Sequence, residues 1–181
     1  MIRTERLLLR QWRAEDRAAF ARMGQDPEVM EFLPPLLTRE ESDAAADRAE
    51  AYVAANGFGF WAVEIPGVAP FAGFIGLKNP SFEAHFTPCI EIGWRLARPF
   101  WGRGYATEGA AAALEFGFTK LGLQEIVSFA VSTNVRSVAV MRRIGMKFSE
   151  EFDHPMFEEG HSLRRHVLYR IAAIPLSPVA E

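Results

Sequence analysis

One segment in the middle of the chain constrains the fold most, because it joins a strand-like run to a helix-like run through a loop containing two glycines. Residues 89–96 alternate apolar side chains with Glu91, Gly93 and Arg95, which predicts a strand with one buried and one accessible face. Residues 105–121 repeat apolar side chains at helical spacing, which predicts a helix with one buried stripe. The loop between them therefore leads from an accessible strand directly into a helix start.

The remaining chain continues this mixture of strand and helix patterns. Thr38 and Glu41 have the spacing of a capping box, Gly57 is placed to close that helix, and Asn134 can cap a later one. Further strands are predicted at 6–12, 58–65, 71–78, 125–131, 147–152 and 164–171, and further helices at 14–23, 38–57 and 134–145. These patterns predict a mixed α/β chain without internal repeats.

Length and composition predict one domain. The chain has 181 residues, of which 49% are hydrophobic and 24% charged, the balance of a globular protein that can bury a core. No stretch is long and flexible enough to separate two units. We therefore expect a single domain over residues 1–174, followed by a short tail at 175–181.

Charge, cysteine count and hydropathy argue against several classes of function. The net charge of −3 lacks the basic excess of nucleic-acid binding proteins. The chain has one cysteine, Cys89, and four histidines without metal-ligand spacing, so neither a disulfide nor a zinc site is predicted. No apolar run approaches the length of a membrane span, and the first residues do not have the pattern of a signal peptide. We expect a cytoplasmic protein without a metal, nucleic-acid or membrane partner.

The glycine loop is a candidate phosphate site. Gly102 and Gly104 let the backbone turn its amide groups in one direction, and the following helix adds its unpaired N–H donors. A purely structural explanation, a tight strand-to-helix turn, is an open alternative. A dinucleotide fingerprint would need a third glycine where Thr107 stands, and the Gly-Lys-Ser/Thr of a Walker A loop is absent. Glu108 in the first helical turn is expected to support the loop rather than to catalyse.

Four motifs in order resemble the GNAT superfamily of N-acetyltransferases, and most closely its branch related to ribosomal-protein N-terminal (alanine) acetyltransferases. They are the opening TERLLLR at residues 4–10, EIGWRL at 91–96, WGRGYATE at 101–108, and NVRS with GMKF at 134–137 and 145–148. The resemblance implies a mixed, mostly antiparallel sheet of about seven strands and about four helices. It also implies a splay between the two central parallel strands.

The resemblance further implies acetyl-CoA as co-substrate. The pyrophosphate loop of the family corresponds to residues 99–104, where Pro99 departs from the usual Gln or Arg, and its main-chain amides hold the diphosphate. The pantetheine arm pairs like an extra strand with residues 94–96, and Asn134 also contacts it. The implied cofactor-binding residues are Trp94, Arg95, Leu96, Trp101, Gly102, Arg103, Gly104, Tyr105, Ala106, Asn134 and Ser137.

Acetyl transfer to an amine needs a base, stabilisation of the oxyanion and a proton for the leaving thiolate. Glu91 on the accessible strand face is the first candidate for the base, with His85 second, although a solvated or salt-bridged Glu91 is an equal alternative. The family commonly has a Tyr as acid where this chain has Met141, and Ser137 matches an alternative donor of the branch. The polar loop at 152–161, followed by His166, carries histidines that could contact an acceptor, although histidines at the surface are usually idle.

These observations predict an N-acetyltransferase that transfers the acetyl group of acetyl-CoA to a primary amine, either a protein N-terminus or a small molecule. Direct attack is preferred over an acetyl-enzyme on Cys89, the single thiol. The alternative is a non-catalytic coenzyme A-binding sensor on the same fold, because Met141 cannot donate a proton. The protein is expected to act as a monomer or homodimer.

Overall fold

A computed structural model describes residues 1–34 and 38–173, so the predicted tail at 175–181 lies outside the described residues. These residues form eight strands, four α-helices and one short 3₁₀ turn at Arg98–Phe100. The strands are β1 (Ile2–Arg3), β2 (Leu8–Arg10), β3 (Phe60–Ile65), β4 (Ala69–Lys78), β5 (Glu91–Leu96), β6 (Glu125–Val131), β7 (Lys147–Asp153) and β8 (Arg165–Ala172). The helices are α1 (Asp16–Gly24), α2 (Arg39–Asn56), α3 (Tyr105–Thr119) and α4 (Val135–Arg143).

All eight strands form one sheet in the order β1-β2-β3-β4-β5-β6-β8-β7. Every neighbouring pair is antiparallel except β5 and β6, which are parallel and lie in the middle of the sheet. The predicted mixed, mostly antiparallel architecture with four helices is confirmed.

The strand count differs from the prediction at the N-terminus. The strand expected at 6–12 is the shorter β2 (Leu8–Arg10), and an additional strand, β1 (Ile2–Arg3), precedes it. In the tight turn between them, the Thr4 amide donates to the Leu7 carbonyl at 3.0 Å. The polar Glu5 and Arg6 occupy this turn, and β1 pairs antiparallel with β2 at the edge of the sheet. The sheet therefore has eight strands rather than about seven.

The helix caps follow the local sequence signals. Thr38 and Glu41 form both hydrogen bonds of the capping box, and Gly57 closes α2 in the left-handed conformation at φ 74°. Asn134 Oδ1 accepts the Ser137 amide at 3.1 Å and so caps α4. These predictions are confirmed, because each depends on residues close together in the chain.

The two faces of the sheet bury different clusters. Trp61 and the stripe of α3 that includes Ala110 and Leu114 belong to the main core, which also buries Met141 of α4. On the opposite face, Trp12 and Phe20 form a second cluster with residues of α1, α2 and the strands beneath them. The sheet is thus covered on both sides, and β5 and β6 lie between the two layers.

Candidate active site

A cavity of about 1100 Å³ opens where β5 and β6 separate. Its walls come from β5 and β6, from the loop before α3, from the first turn of α3, from α4, and from the segment between α1 and α2. The residues that follow β7, together with one residue of β8, complete the wall. The cavity therefore crosses the sheet at the parallel pair.

The separation of β5 and β6 leaves one edge of β5 open. The two strands pair only at Glu91 and Val127, after which the Ser128 hydroxyl donates to the Ile92 carbonyl at 3.0 Å. Because peptide groups alternate in direction along a strand, the N–H and C=O of Trp94 also face the β6 side, where β6 has moved away. The expected splay is present, and an extended ligand has main-chain partners at Trp94.

The loop before α3 offers a run of free amide donors. The Trp101 amide donates to the Arg98 carbonyl at 3.1 Å, and the first helical bond runs from the Glu108 amide to the Gly104 carbonyl at 3.0 Å. Within the described residues, the amides of 102–107 donate to no acceptor. Gly102 and Gly104 have φ of 71° and 81°, a conformation that favours glycine. This geometry fits the diphosphate of coenzyme A, with donors beginning one residue after Trp101.

The loop is held in place by the N-terminal hairpin. Glu108 accepts from the Thr4 hydroxyl at 2.6 Å and from the Arg6 amide and Nε at 2.9 and 2.7 Å. Burial opposes ionisation of Glu108, but the hydrogen bonds from Thr4 and Arg6 outweigh it and lower its pKa. Arg6 also donates to the Arg103 carbonyl at 3.0 Å. Glu108 therefore has the supporting contacts that the sequence led us to expect.

The arginines near the loop have unequal access to the cavity. Arg98 forms an ion pair with Glu28 at 2.6 Å, and the side chain of Arg103 lies outside the cavity wall. Arg143, which was not among the predicted site residues, contributes to the wall from α4. Tyr105 and Ala106, in the first turn of α3, also line it. Arg103 can therefore contribute through its amide, while Arg143 brings a positive charge to the cavity.

Glu91 lies in the cavity wall at the point where the parallel pair ends. Its β4 neighbour is Lys78, directly opposite in the antiparallel register. Burial raises the pKa of Glu91 to about 7, and the charge of Lys78 only partly opposes this shift. A carboxyl group with this pKa exchanges protons readily near neutral pH. The second candidate base, His85, is outside the wall and pairs with Glu150 at 3.0 Å.

Helix α4 and its N-cap residue place three side chains in the cavity wall. Asn134, Ser137 and Met141 all line it, and Met141 is almost fully buried. The oxygen of Asn134 is used by the helix cap, which leaves its amide nitrogen for a ligand. Ser137 is half-buried, and its hydroxyl is the proton donor nearest in sequence to the position held by Met141.

The residues after Gly93 divide between wall and core. Leu96 is buried in the main core and also borders the cavity, and its carbonyl accepts from the Trp101 indole at 2.7 Å. Arg95 extends over the opposite face, where its guanidinium carbon lies 5.3 Å from the centre of the Phe74 ring. Because peptide groups alternate in direction along a strand, the N–H and C=O of Arg95 point toward β4. The side chain of Arg95 is therefore the part that lines the cavity.

Two histidines expected at the surface are buried in the cavity wall, so that expectation was wrong. His154 and His166 are only 6% and 7% exposed, and their ring centres are 4.8 Å apart. Burial lowers the pKa of His154 to about 4 and also lowers that of His166. The β7–β8 hairpin brings them together although they are distant in sequence. Both rings are therefore neutral at pH 7.

The His154 ring accepts the Met156 amide at Nδ1, at 3.2 Å, and the His166 Nδ1 lies 3.1 Å from the Arg164 carbonyl. These contacts place the proton of neutral His154 on Nε2 and that of His166 on Nδ1. Met156, Phe157 and Phe129 line the same part of the cavity. No local sequence pattern predicts that these apolar residues line the cavity, because only tertiary packing brings them together.

Two further observations on the described residues concern membrane spans and metal sites. Helices in residues 1–34 and 38–173 do not combine the length and apolarity that a bilayer span requires. In the same ranges, no three His, Cys, Asp or Glu side chains are grouped in a way that could hold a metal ion.

Comparisons with known proteins agree on one protein family. A family profile described as an acetyltransferase (GNAT) domain matches residues 6–147. The FsC-acetyl coenzyme A-N(2)-transacetylase of Aspergillus fumigatus is 31% identical over 174 residues, covering 88% of this chain and 72% of that protein. An uncharacterized N-acetyltransferase, YnaD of Bacillus subtilis, is 31% identical over 147 residues, covering 81% and 82%.

A solved structure agrees with these relatives. The GNAT-family acetyltransferase of Bacillus anthracis superimposes with a TM-score of 0.79 at 25% identity, covering 94% of this chain and 97% of that one. The family profile, the relatives and the three-dimensional fold thus agree with one another. The chain belongs to the GNAT family and is an acetyl-CoA-dependent acetyltransferase.

Proposed function

We propose that this protein transfers the acetyl group of acetyl-CoA to a primary amine by direct attack. The observation that supports this most strongly is the run of free amides at 102–107 beside an open strand edge at Trp94. The diphosphate binds the amides, and the pantetheine arm extends along β5 toward Gly93. Membership of an acetyltransferase family favours this enzymatic function over a coenzyme A sensor.

Glu91 is the proposed base. It takes a proton from the acceptor ammonium, directly or through a water, and the free amine then attacks the thioester carbon. The N–C bond forms, the C–S bond breaks, and the electron pair leaves on the coenzyme A sulfur. The attacking nitrogen loses a second proton as it becomes an amide, and this proton replaces, through water, the one that Ser137 gives to the thiolate. The Trp94 amide is the proposed donor to the oxyanion, because its N–H faces the gap between β5 and β6.

Ser137 is the proposed proton donor to the leaving thiolate. A thiol pKa of about 8.5 makes the thiolate a tolerable leaving group, so the demand on this acid is small. Met141 at the usual Tyr position is therefore compatible with turnover. Asn134, through its amide nitrogen, is proposed to hold the pantetheine arm.

Direct attack is supported by the position of Cys89. The residue lies outside the wall of the main cavity, and burial raises the pKa of its thiol to about 11. A thiol with this pKa is protonated at neutral pH and is a poor nucleophile. An acetyl-enzyme on Cys89 would therefore need both a move of the strand and an activating base.

The proposed phosphate site is tested by Gly104→Val, with Gly122→Val as the matched control. Both glycines have positive φ, 81° and 66°, so both substitutions strain the backbone, but only Gly104 borders the cavity. Displacing one amide from a charged phosphate should weaken acetyl-CoA binding at least about tenfold. Calorimetric titration measures the affinity, and equal affinities for the two variants would contradict the assignment.

The acyl transfer is tested by thiol release from acetyl-CoA with a set of primary amines and N-terminal peptides. We expect amine-dependent release by the wild type and retained release by Cys89→Ala. Tight acetyl-CoA binding without release on any acceptor would contradict the proposed function and favour a sensor.

A further inference from the structure

Arg95 is a cation without an obvious structural partner inside the cavity. Of the other arginines in the wall, Arg6 and Arg136 are paired with carboxylates, and Arg143 is exposed to solvent. In the described parts of the chain, no carboxylate pairs with Arg95. Its charge is therefore left for something that enters the cavity.

The contacts of Arg95 hold its side chain in place, but they leave most of its N–H donors without a hydrogen-bond acceptor among the described residues. One Nη1 donor reaches the Met30 sulfur at 3.6 Å, and the guanidinium lies over the Phe74 ring. A sulfur is a weak acceptor, and an arginine has five N–H donors, so most of its donors have no described acceptor. Burial alone lowers the pKa of Arg95 to about 10, which still leaves it charged at pH 7. A desolvated cation of this kind is stabilised by an anion.

Arg95 lies on the same strand face as the proposed base. Glu91, Gly93 and Arg95 alternate with core residues along β5, so all three face the side of the sheet covered by the α1–α2 segment. Gly93 and Arg95 are two positions apart, a distance of about 7 Å along the strand. A small acceptor with its amine near Gly93 can therefore bring a second group to the guanidinium.

The rest of this compartment is mainly apolar. The segment between α1 and α2 contributes Val29, Phe32 and Leu33, and the far wall contributes Phe129, Met156 and Phe157. The two histidines beside them are neutral at pH 7 because burial lowers their pKa values. The acceptor that fits has an amine, an apolar body and an anionic group.

We propose that Arg95 binds the carboxylate of the acetyl acceptor, and that the acceptor is an apolar amino acid or a similar small amino-carboxylate. The proposal rests on the acetyltransferase function proposed above. A planar guanidinium matches a carboxylate with two parallel hydrogen bonds, a pairing that a lysine cannot copy. The same charge repels the second ammonium group of a polyamine. Arg95 is thus a specificity-determining residue.

The test compares acceptors that differ only in the carboxylate. L-phenylalanine is paired with phenethylamine and L-leucine with isoamylamine, using wild type, Arg95→Met, Arg95→Lys and the control Arg48→Met. Arg48 is exposed on α2 and lies outside the cavity wall. Thiol release gives kcat and KM for each acceptor, and calorimetry gives the acetyl-CoA affinity of each variant.

We expect the wild type and Arg48→Met to prefer the amino acids by roughly tenfold to hundredfold in kcat/KM. Arg95→Met should lose this preference, because its KM should rise more for the amino acids than for the decarboxylated amines, whereas Arg48→Met should keep wild-type acetyl-CoA affinity and wild-type activity on both. Arg95→Lys should restore part of the preference. Equal loss on both acceptor types, or acetylation of amines without any carboxylate preference, would overturn the proposal. No release with any amine, despite acetyl-CoA binding, would instead contradict the acetyltransferase function.

Discussion

Replacing Glu91 by Gln should change the pH profile of turnover in a specific way. Burial raises the pKa of Glu91 to about 7, so about nine tenths of the enzyme carries the active carboxylate at pH 8 and about a tenth at pH 6. Wild-type kcat/KM should therefore fall about tenfold over this range from the base alone. Gln cannot accept the proton, so the limb with pKa about 7 should vanish in the variant.

The size of the defect follows from the same ionisation. A positioned general base contributes typically about 100-fold or more, so the loss at pH 8 should be about 100-fold. At pH 6 the wild type has already lost most of its carboxylate, and the loss should shrink to about tenfold. Steady-state thiol release between pH 6 and 9 measures this, with the exposed Glu115→Gln as control. A pH-independent loss, or no loss, would refute Glu91 as the base.

Stability provides an independent readout for the same variant. Because the folded pKa of Glu91 is raised from 4.5 to about 7, the unfolded chain binds fewer protons than the folded one between these values. The ionised carboxylate therefore destabilises the fold above pH 7, by about 3 kcal/mol. Glu91→Gln should unfold at higher denaturant concentration than wild type at pH 8. A lower midpoint would show that the activity loss reflects damaged folding.

Three further outcomes are expected. Ser137→Ala should lower kcat less than about tenfold with unchanged acetyl-CoA affinity, because the thiolate leaves readily; a larger loss in stopped-flow kcat would make the acid essential. Arg10→Met should destabilise by about 3 to 5 kcal/mol in urea unfolding, since it leaves buried Asp16 unpaired where two bonds of 2.8 and 2.9 Å stood; a cost below about 1 kcal/mol would contradict this. Between pH 7 and pH 5, the free energy of unfolding of the wild type should fall by about 2 kcal/mol more than that of His154→Asn. The reason is that His154 binds a proton in the unfolded chain, whereas burial keeps it neutral in the folded one. Parallel plots of unfolding free energy against pH for the two proteins would contradict this.

Local sequence signals predicted much of the fold and the backbone turn of the glycine loop. The capping box at Thr38 and the glycines at 102 and 104 depend on neighbours within a few residues, and the structure has them as expected. The alternation of β5 correctly separated Glu91 from the core residue Ile92. Element ends shifted by a few residues, as in β5, which begins at Glu91 rather than Cys89.

The sequence patterns could not predict contacts between segments that are far apart in the chain. His154 looked like a residue of a polar loop and His166 lay in a predicted strand, but the β7–β8 hairpin turns both into the cavity wall. Arg95 looked like an accessible strand residue, and its contact with Met30 depends on how the chain between α1 and α2 folds over the sheet. The proposed acceptor side of the site is built from such contacts, whereas the proposed phosphate side is built from one continuous loop.

A crystal structure of the protein with acetyl-CoA tests the central claim most directly. We predict that diphosphate oxygens accept hydrogen bonds from the amides of 102–107, and that the thioester lies in the gap beside the Trp94 main chain. Acetyl-CoA bound elsewhere, or a diphosphate held only by side chains away from these amides, would contradict the account.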